Sequence, residues 1–158
     1  MQLFMKQKVF SFSDHFNVWD EAGNDRWEVE QELFTWGKKL HIYDAQGNEV
    51  ADIQREIFTF RPRFTVTISG VETAEIVKHF TLFYQEYEVN GPDWRVDGEF
   101  LSHEFTIWHG ETQVAAVHKE WMTWGDCYTI EIADPSDELL VLAVVLAIDC
   151  VAEAANNN

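Results

Sequence analysis

Only two cysteines and three prolines occur in this chain of 158 residues, and bases are scarce, 11 against 28 acids. Each shortage excludes something. Cys127 and Cys150 lack the tight spacing of a redox pair or a zinc knuckle, so two reduced thiols packed as small apolar groups are expected. A formal net charge of −17 lacks the positive footprint that nucleic acid requires, and it repels anionic bilayers at long range. The start, MQLFMKQKVFSF, has no apolar core followed by a small-residue cleavage site, so no secretory signal is read and the cytoplasm is the expected location. A content of 46% apolar and 15% aromatic residues places the chain outside the disordered range. The length suits one domain, 1–158, with a substantial core.

What the chain does have is one passage twice. Residues 27–68, from Trp27 to Ile68, return in drifted form as residues 94–132, from Trp94 to Ile132. From Val50 to Ile68 the offset is a constant 64, pairing Val50 with Val114, Ile53 with Val117, Phe64 with Tyr128 and Ile68 with Ile132. Such a repeat means one supersecondary unit used twice around a shared core. Period-two alternation dominates both copies: Phe64, Val66 and Ile68 against Arg63, Thr65 and Thr67, then Tyr128, Ile130 and Ile132 against Thr129 and Glu131. Each copy therefore presents one buried and one wet face. Turn formers at 21–25, 44–48, 69–70, 90–92 and 109–111 break the pattern about every ten residues, the spacing of an antiparallel barrel or sandwich. The stretch from Val71 to Val89 is divided: Ile76, Phe80, Phe83 and Tyr87 fit a helical stripe, while its composition favours strand.

The tail carries the second signal. Asp134-Pro135-Ser136-Asp137-Glu138 supplies an N-cap, a proline at the first helical position and first-turn acids, so a helix is expected over about 135–155. LLVLAVVLAI, from Leu139 to Ile148, has no polar face and must be enclosed on all sides. A membrane span needs about 20 apolar residues, and Asp149 and Glu153 interrupt this run, so no transmembrane span is expected. An antiparallel barrel of two similar halves plugged by this helix accounts for both signals. The three terminal asparagines are expected to fray.

ADIQREIFTFRPRFTVTI from Ala51, VHKEWMTWGDCYTIEI from Val117 and DPSDELLVLAVVLAIDCV from Asp134, in that order, resemble the LURP-one-related family. That family is grouped with tubby C-terminal domains and phospholipid scramblases. The resemblance implies a mostly β fold, a closed antiparallel tubby-like barrel of about twelve strands around a buried hydrophobic C-terminal helix, and strands rather than helix over 71–89. Two positions depart between the copies: Gln31 stands where the second has Gly98, and Asp52 where it has Ala116. If Gly98 marks a close backbone approach, Gln31 strains the first copy. Asp52 falls on the outward parity and should cost little.

Catalytic and metal chemistry find little support. No G-x-S-x-G elbow occurs and neither cysteine has a patterned histidine, so no catalytic residue is assigned and no enzyme is expected. His15, His41, His79, His103, His109 and His118 form no H-x-x-x-H pair and read as solvated strand residues, so no metal and no cofactor are expected. Asp137 and Glu138 are explained by the helix dipole, and scramblase-like calcium is not carried over. Seven tryptophans in an acidic β chain admit a carbohydrate-binding or carbohydrate-active reading, against which Trp27 and Trp94 hold matching, core-like repeat positions.

Lys38, Lys39, Arg61 and Arg63 lie in the one locally basic region and form the candidate anion or lipid site. Arg61 and Arg63 are expected on the outward face of one strand, with Pro62 marking an edge or bulge, and they face Gly125 and Cys127 in the second copy. The expected function is a non-catalytic binding or scaffold module with an unknown protein partner; peripheral binding of an anionic lipid head group or phosphate is the alternative.

Overall fold

The computed structural model describes residues 1–6, 15–34, 37–80, 84–122 and 125–156. Twelve strands close into one antiparallel barrel in which each strand pairs with its sequence neighbours and β1 (Gln2–Lys6) returns to β12 (Gly125–Ile132). Between them run β2 (His15–Asp20), β3 (Asp25–Phe34), β4 (Gly37–Tyr43), β5 (Glu49–Glu56), β6 (Arg63–Ile68), β7 (Val71–Phe80), β8 (Gln85–Asn90), β9 (Trp94–Glu99), β10 (Glu104–His109) and β11 (Thr112–Met122). Closure leaves no free sheet edge, which an exposed edge strand would otherwise present to other chains.

Local chemistry sets the turns. The sequences DEAGN (20–24) and DAQGN (44–48) build the same hairpin: the Asp carboxylate accepts from the backbone N–H two and four residues on, at 2.9 Å in every case. Gly23 and Gly47 each sit at φ +80°, the left-handed conformation that glycine adopts without strain. These contacts favour the ionised acid. The Asn24 backbone N–H first, and for Asp44 the Asn48 side chain first, hold both carboxyls below their usual range.

Register carries the repeat into three dimensions. Leu40 pairs with Ile53 as Phe105 pairs with Val117, which aligns β3 to β6 with β9 to β12, and both copies bulge at the same place, Ile42/Tyr43 and Ile107/Trp108. The duplication also extends beyond the legible repeat: Ile76 pairs with Phe64 as Met5 pairs with Tyr128, so β7 and β8 stand where β1 and β2 stand in the first half. Residues 71–89 thus form strands β7 and β8; Phe80 is exposed and Phe83 lies outside the described residues. A helical stripe arose there because Ile76 and Tyr87 both face inward from neighbouring strands.

Wet and buried faces alternate as expected over most strands, but Val77 of β7, Val114 and Ala116 of β11 and part of β12 are buried on the outward parity. Thr129, on the outward parity, is buried, in register between Phe4 of β1 and His118 of β11, and Cys127 is buried with it. Neither cysteine is in a disulfide.

The C-terminal helix fills the barrel. Asp134 accepts from the Ser136 N–H at 2.9 Å, Pro135–Asp137 form a short 3-10 turn, and α1 (Glu138–Asn156) follows. At about 1.5 Å per residue its 19 residues span about 28 Å. Every residue from Val141 to Ile148 is at most 1% exposed, so the run has no wet side. Asn156 is the last helical residue, and the two asparagines beyond it lie outside the described residues. Among the described residues, no helix is long and apolar enough to cross a membrane.

Candidate functional site

The helix enters the barrel beside the short turns and leaves at the opposite rim, and the two ends are chemically different. At the entry end Glu138 is buried and accepts from Arg26 Nε and Nη2, at 2.8 and 2.9 Å, and from the Trp27 indole N–H at 2.8 Å. Glu138 is therefore a structural anchor joining the first turn of α1 to β3, more than the dipole complement its position suggested. The bond to Glu138 first of all holds the Arg26 guanidinium above its ordinary range.

At the exit end, strand parity turns Lys38, Arg55, Lys78 and Lys119 inward, two positions beyond Leu40, Ile53, Ile76 and Val117 respectively. Lys38 Nζ reaches Glu153 of the helix at 3.2 Å. Lys78 is buried with its ammonium over the Phe80 ring at 4.9 Å and the Tyr87 ring at 5.8 Å, and burial pushes its amine pKa down. The Tyr87 phenol and the Cys150 thiol are pushed up by burial, the thiol to about 12, so Cys150 is an inert packing group.

His103 corrects the reading of all six histidines as solvated. It occupies a left-handed turn position, φ 58°, after the 3-10 turn Phe100–Ser102, where its ring is buried against Tyr128 at 4.1 Å between centroids. Its Nε2 lies 2.7 Å from Asp149, also buried. Counted from Leu40 and Phe105, Lys38 and His103 hold matching repeat positions, and each takes an acid from α1, Glu153 and Asp149, one helical turn apart. Sequence reading missed this pair because 46 residues separate its members and neither carries a local motif. The signal that could have found it is Asp149 itself, an acid ending a run with no polar face.

The four basic candidates do not converge. Lys38 is drawn into the helix contact and Lys39 lies 3.6 Å from Asp52 on the outer face of β4 and β5. Arg61 is in a bend before β6 rather than on the strand, because Pro62 offers no N–H to the ladder, while the Pro62 carbonyl accepts from Lys78 N–H at 3.0 Å. Arg61 and Arg63 do share one shallow cleft of about 400 Å³, lined also by Thr59, His79, Glu75, Glu88 and Asn90. Arg61 Nη1 donates to His79 Nδ1 at 2.8 Å, and His79 Nε2 lies 2.9 Å from Glu88 without hydrogen-bond geometry. Arg63 lies 3.4 Å from Glu75, and its Nε is buried without a hydrogen bond.

A second groove, about 530 Å³, runs along β1, β2 and β12, with Phe4 and Trp19 beside Asp20, Glu21 and Asp25. Asp20 is committed to its own turn and Glu21 accepts from the Gln2 backbone, leaving Asp25 as the lining carboxylate without such a role. Trp94 is in the core and Trp27 packs against it, as their repeat positions implied. Among the described residues, no group of three or more His, Cys, Asp or Glu is placed to hold a metal ion.

Similarity to known proteins follows the fold. The chain is 32% identical over 151 residues to the uncharacterized protein YxjI of Bacillus subtilis (strain 168), covering 96% of this chain and 93% of that one. A crystal structure of an Arabidopsis thaliana protein superposes with a TM-score of 0.63 at 18% identity, over 94% of this chain and 90% of that one, a likeness of fold. The LURP-one-related family profile matches residues 1–149. With strand order, enclosed helix and sequence match in agreement, the chain belongs to the LURP-one-related family.

Proposed function

We propose that the protein is a non-catalytic binding or scaffold module that works from the outside of its barrel. The enclosed run Val141–Ile148 carries this reading: the interior is packed by the chain's own helix, which leaves the outer strands and rims as the working surface. Two buried thiols outside any disulfide suit a reducing compartment, and the cytoplasm is the proposed location. Affinity capture from the native cytosol, followed by remixing of purified components, tests the proposal. A stoichiometric complex with a macromolecule is expected. A small molecule seated inside the barrel, or turnover abolished by His103→Gln, would overturn it.

A second reading is an anion site for phosphate or an acidic head group. The cleft holding Arg61 and Arg63 together favours it, with the Arg63 Nε making no hydrogen bond and only a 4.0 Å ion pair to Glu56; Glu56, Glu75 and Glu88 around the pair oppose it. On this reading Lys38 and Lys39 drop out, each held by an acid of its own. Inorganic phosphate titrated against the wild type should shift the Arg61 and His79 resonances, and Arg61→Glu with Arg63→Glu should abolish the shift; unmoved wild-type resonances dismiss the site.

A further inference from the structure

The outer wall of the barrel carries one groove in two versions. Since Ile76 stands where Met5 stands, Glu75 and Val77 of β7 answer to Phe4 and Lys6 of β1. Asn90, the cross-strand partner of Glu75, then answers to Trp19, the partner of Phe4, and Arg63 answers to Cys127. Each set lines a groove, of about 400 Å³ in one half and about 530 Å³ in the other. In the smaller groove the polar groups satisfy one another: Asn90 Nδ2 donates to Glu75 at 3.1 Å, and Arg63 lies 3.4 Å from Glu75. In the larger one the same cross-strand pair is aromatic, Phe4 beside Trp19, both half-buried on the outward face and outside the core cluster. The fold accepts Glu and Asn at this place, so the two rings are not what closes the barrel.

Charge says what these rings face. The connection from β2 to β3 sets three carboxylates, Asp20, Glu21 and Asp25, along the entry side of the groove. Lys6 is the one cation among the described lining residues, and it stands three residues along β1 from Leu3, the partner of Asp20. The Ala22 and Asn24 N–H groups hold Asp20 at 2.9 Å, and Glu21 accepts from the Gln2 backbone, so two of the charges are fixed before any ligand arrives. An anion is repelled here, and a purely apolar partner would strip water from the carboxylates without replacing it. A guanidinium uses both parts of the groove, since its plane stacks on an aromatic face and its fork pairs with a carboxylate. The groove volume falls within the range of about 300–1,000 Å³ usual for ligand sites, and the net charge of −17 steers cations toward it.

We propose that the groove along β1, β2 and β12 binds an arginine of a partner protein, with the guanidinium against the Phe4 and Trp19 rings and paired with Asp25. This names the partner chemistry of the module proposed above and rests on that reading. The sister groove does not take the same ligand, because Arg61 and Arg63 already fill it with cations, where the larger groove has the small side chain of Cys127 at the position of Arg63.

Fluorescence anisotropy with a fluorescein-labelled Gly-Arg-Gly-Arg-Gly peptide tests it, in about 0.15 M salt so that charges more than about 8 Å apart are screened. The wild type should bind this peptide about fivefold more tightly than its lysine counterpart, because an ammonium has no plane to stack. Phe4→Glu with Trp19→Asn installs the pair that the sister groove carries. It should weaken binding about tenfold although it adds a negative charge, with unchanged thermal unfolding, and Asp25→Asn should weaken binding about threefold. If the double variant fails to fold, Trp19→Asn alone serves, with a smaller loss expected. A wild type that ignores the peptide, equal affinity for the lysine peptide, a double variant that binds as well or better, or displacement of the peptide by maltohexaose, which would make the rings a sugar platform, each overturns the proposal. Such a failure leaves the captured-macromolecule test of the module reading standing on its own result.

Discussion

The two halves of the barrel, β1 to β6 and β7 to β12, agree in register and even in the position of a bulge, yet differ wherever a side chain meets the helix or the exit rim. At matching positions the first half holds Lys38 against Glu153 with both side chains partly exposed, while the second buries His103 against Asp149. Trp94 is a core residue with no acid attached, whereas Trp27 gives its indole N–H to Glu138. Gly98 takes φ +138° so that its backbone can approach Glu104 and Phe105, where a Cβ would come within 2.4 Å of the Glu104 carbonyl oxygen. Gln31, its counterpart, points inward in ordinary strand geometry with its Oε1 buried and unpartnered. A single helix is an asymmetric object inside a two-fold cage. Duplicated strands can keep matching partners only where they see each other, and they diverge where they see the helix.

Four expected outcomes break or sharpen that contrast. Ala143, fully buried in the part of α1 that both halves enclose, is the point where damage cannot stay in one half. Ala143→Asp should cost about 4 kcal/mol or more and leave the protein largely unfolded by circular dichroism. Glu138→Ala removes the hydrogen bonds of the half-exposed Arg26 and of the Trp27 indole in the first half alone and should cost about 3 kcal/mol in urea unfolding.

Exchanging the odd pair comes next. Gly98→Gln should cost about 2 to 3 kcal/mol through backbone strain and collision, while Gln31→Met, which replaces an unsatisfied amide by an apolar group, should gain about 1 kcal/mol. Equal costs for the two changes would mean that the halves are equivalent after all. The smallest effect belongs to His41, which lies between Glu49 at 2.7 Å and Glu32 at 2.8 Å and has no such pair in the second half. Burial opposes its proton, but the two carboxylates prevail and its pKa is raised above 6.5. The stabilisation is therefore fully present below the ordinary histidine value and is lost as pH rises through the folded one. Melting temperature should fall more between about pH 6 and pH 8 in the wild type than in His41→Gln; parallel profiles would show that the pair contributes nothing.

Much of the architecture was legible because its physics is periodic. Alternation in 64–68 and 128–132, the DxxGN turns and an apolar run without a polar face each have one economical structural solution. The equivalence of β1 and β2 with β7 and β8 was not legible, since Met5 and Ile76 are alike only in facing inward. Thr129 defied its parity because covering the outer face of β12 depends on side chains from distant strands. Among candidate site residues, Arg61 and Arg63 do meet in one cleft, as neighbours around Pro62 must, but Lys38 and Lys39 were scattered by a parity difference that sends one inward to Glu153 and the other outward to Asp52. His103 with Asp149 stayed hidden because a buried pair between distant segments leaves no spacing to read.

The claim on which the rest depends is that α1 is the core of the barrel and not a detachable anchor. Native-state hydrogen exchange of the Val141–Ile148 amides measures this directly. These amides should exchange only through global unfolding, with the same free energy and denaturant dependence as the slowest strand amides. Exchange of α1 by local opening while β5 and β11 remain protected would contradict the account.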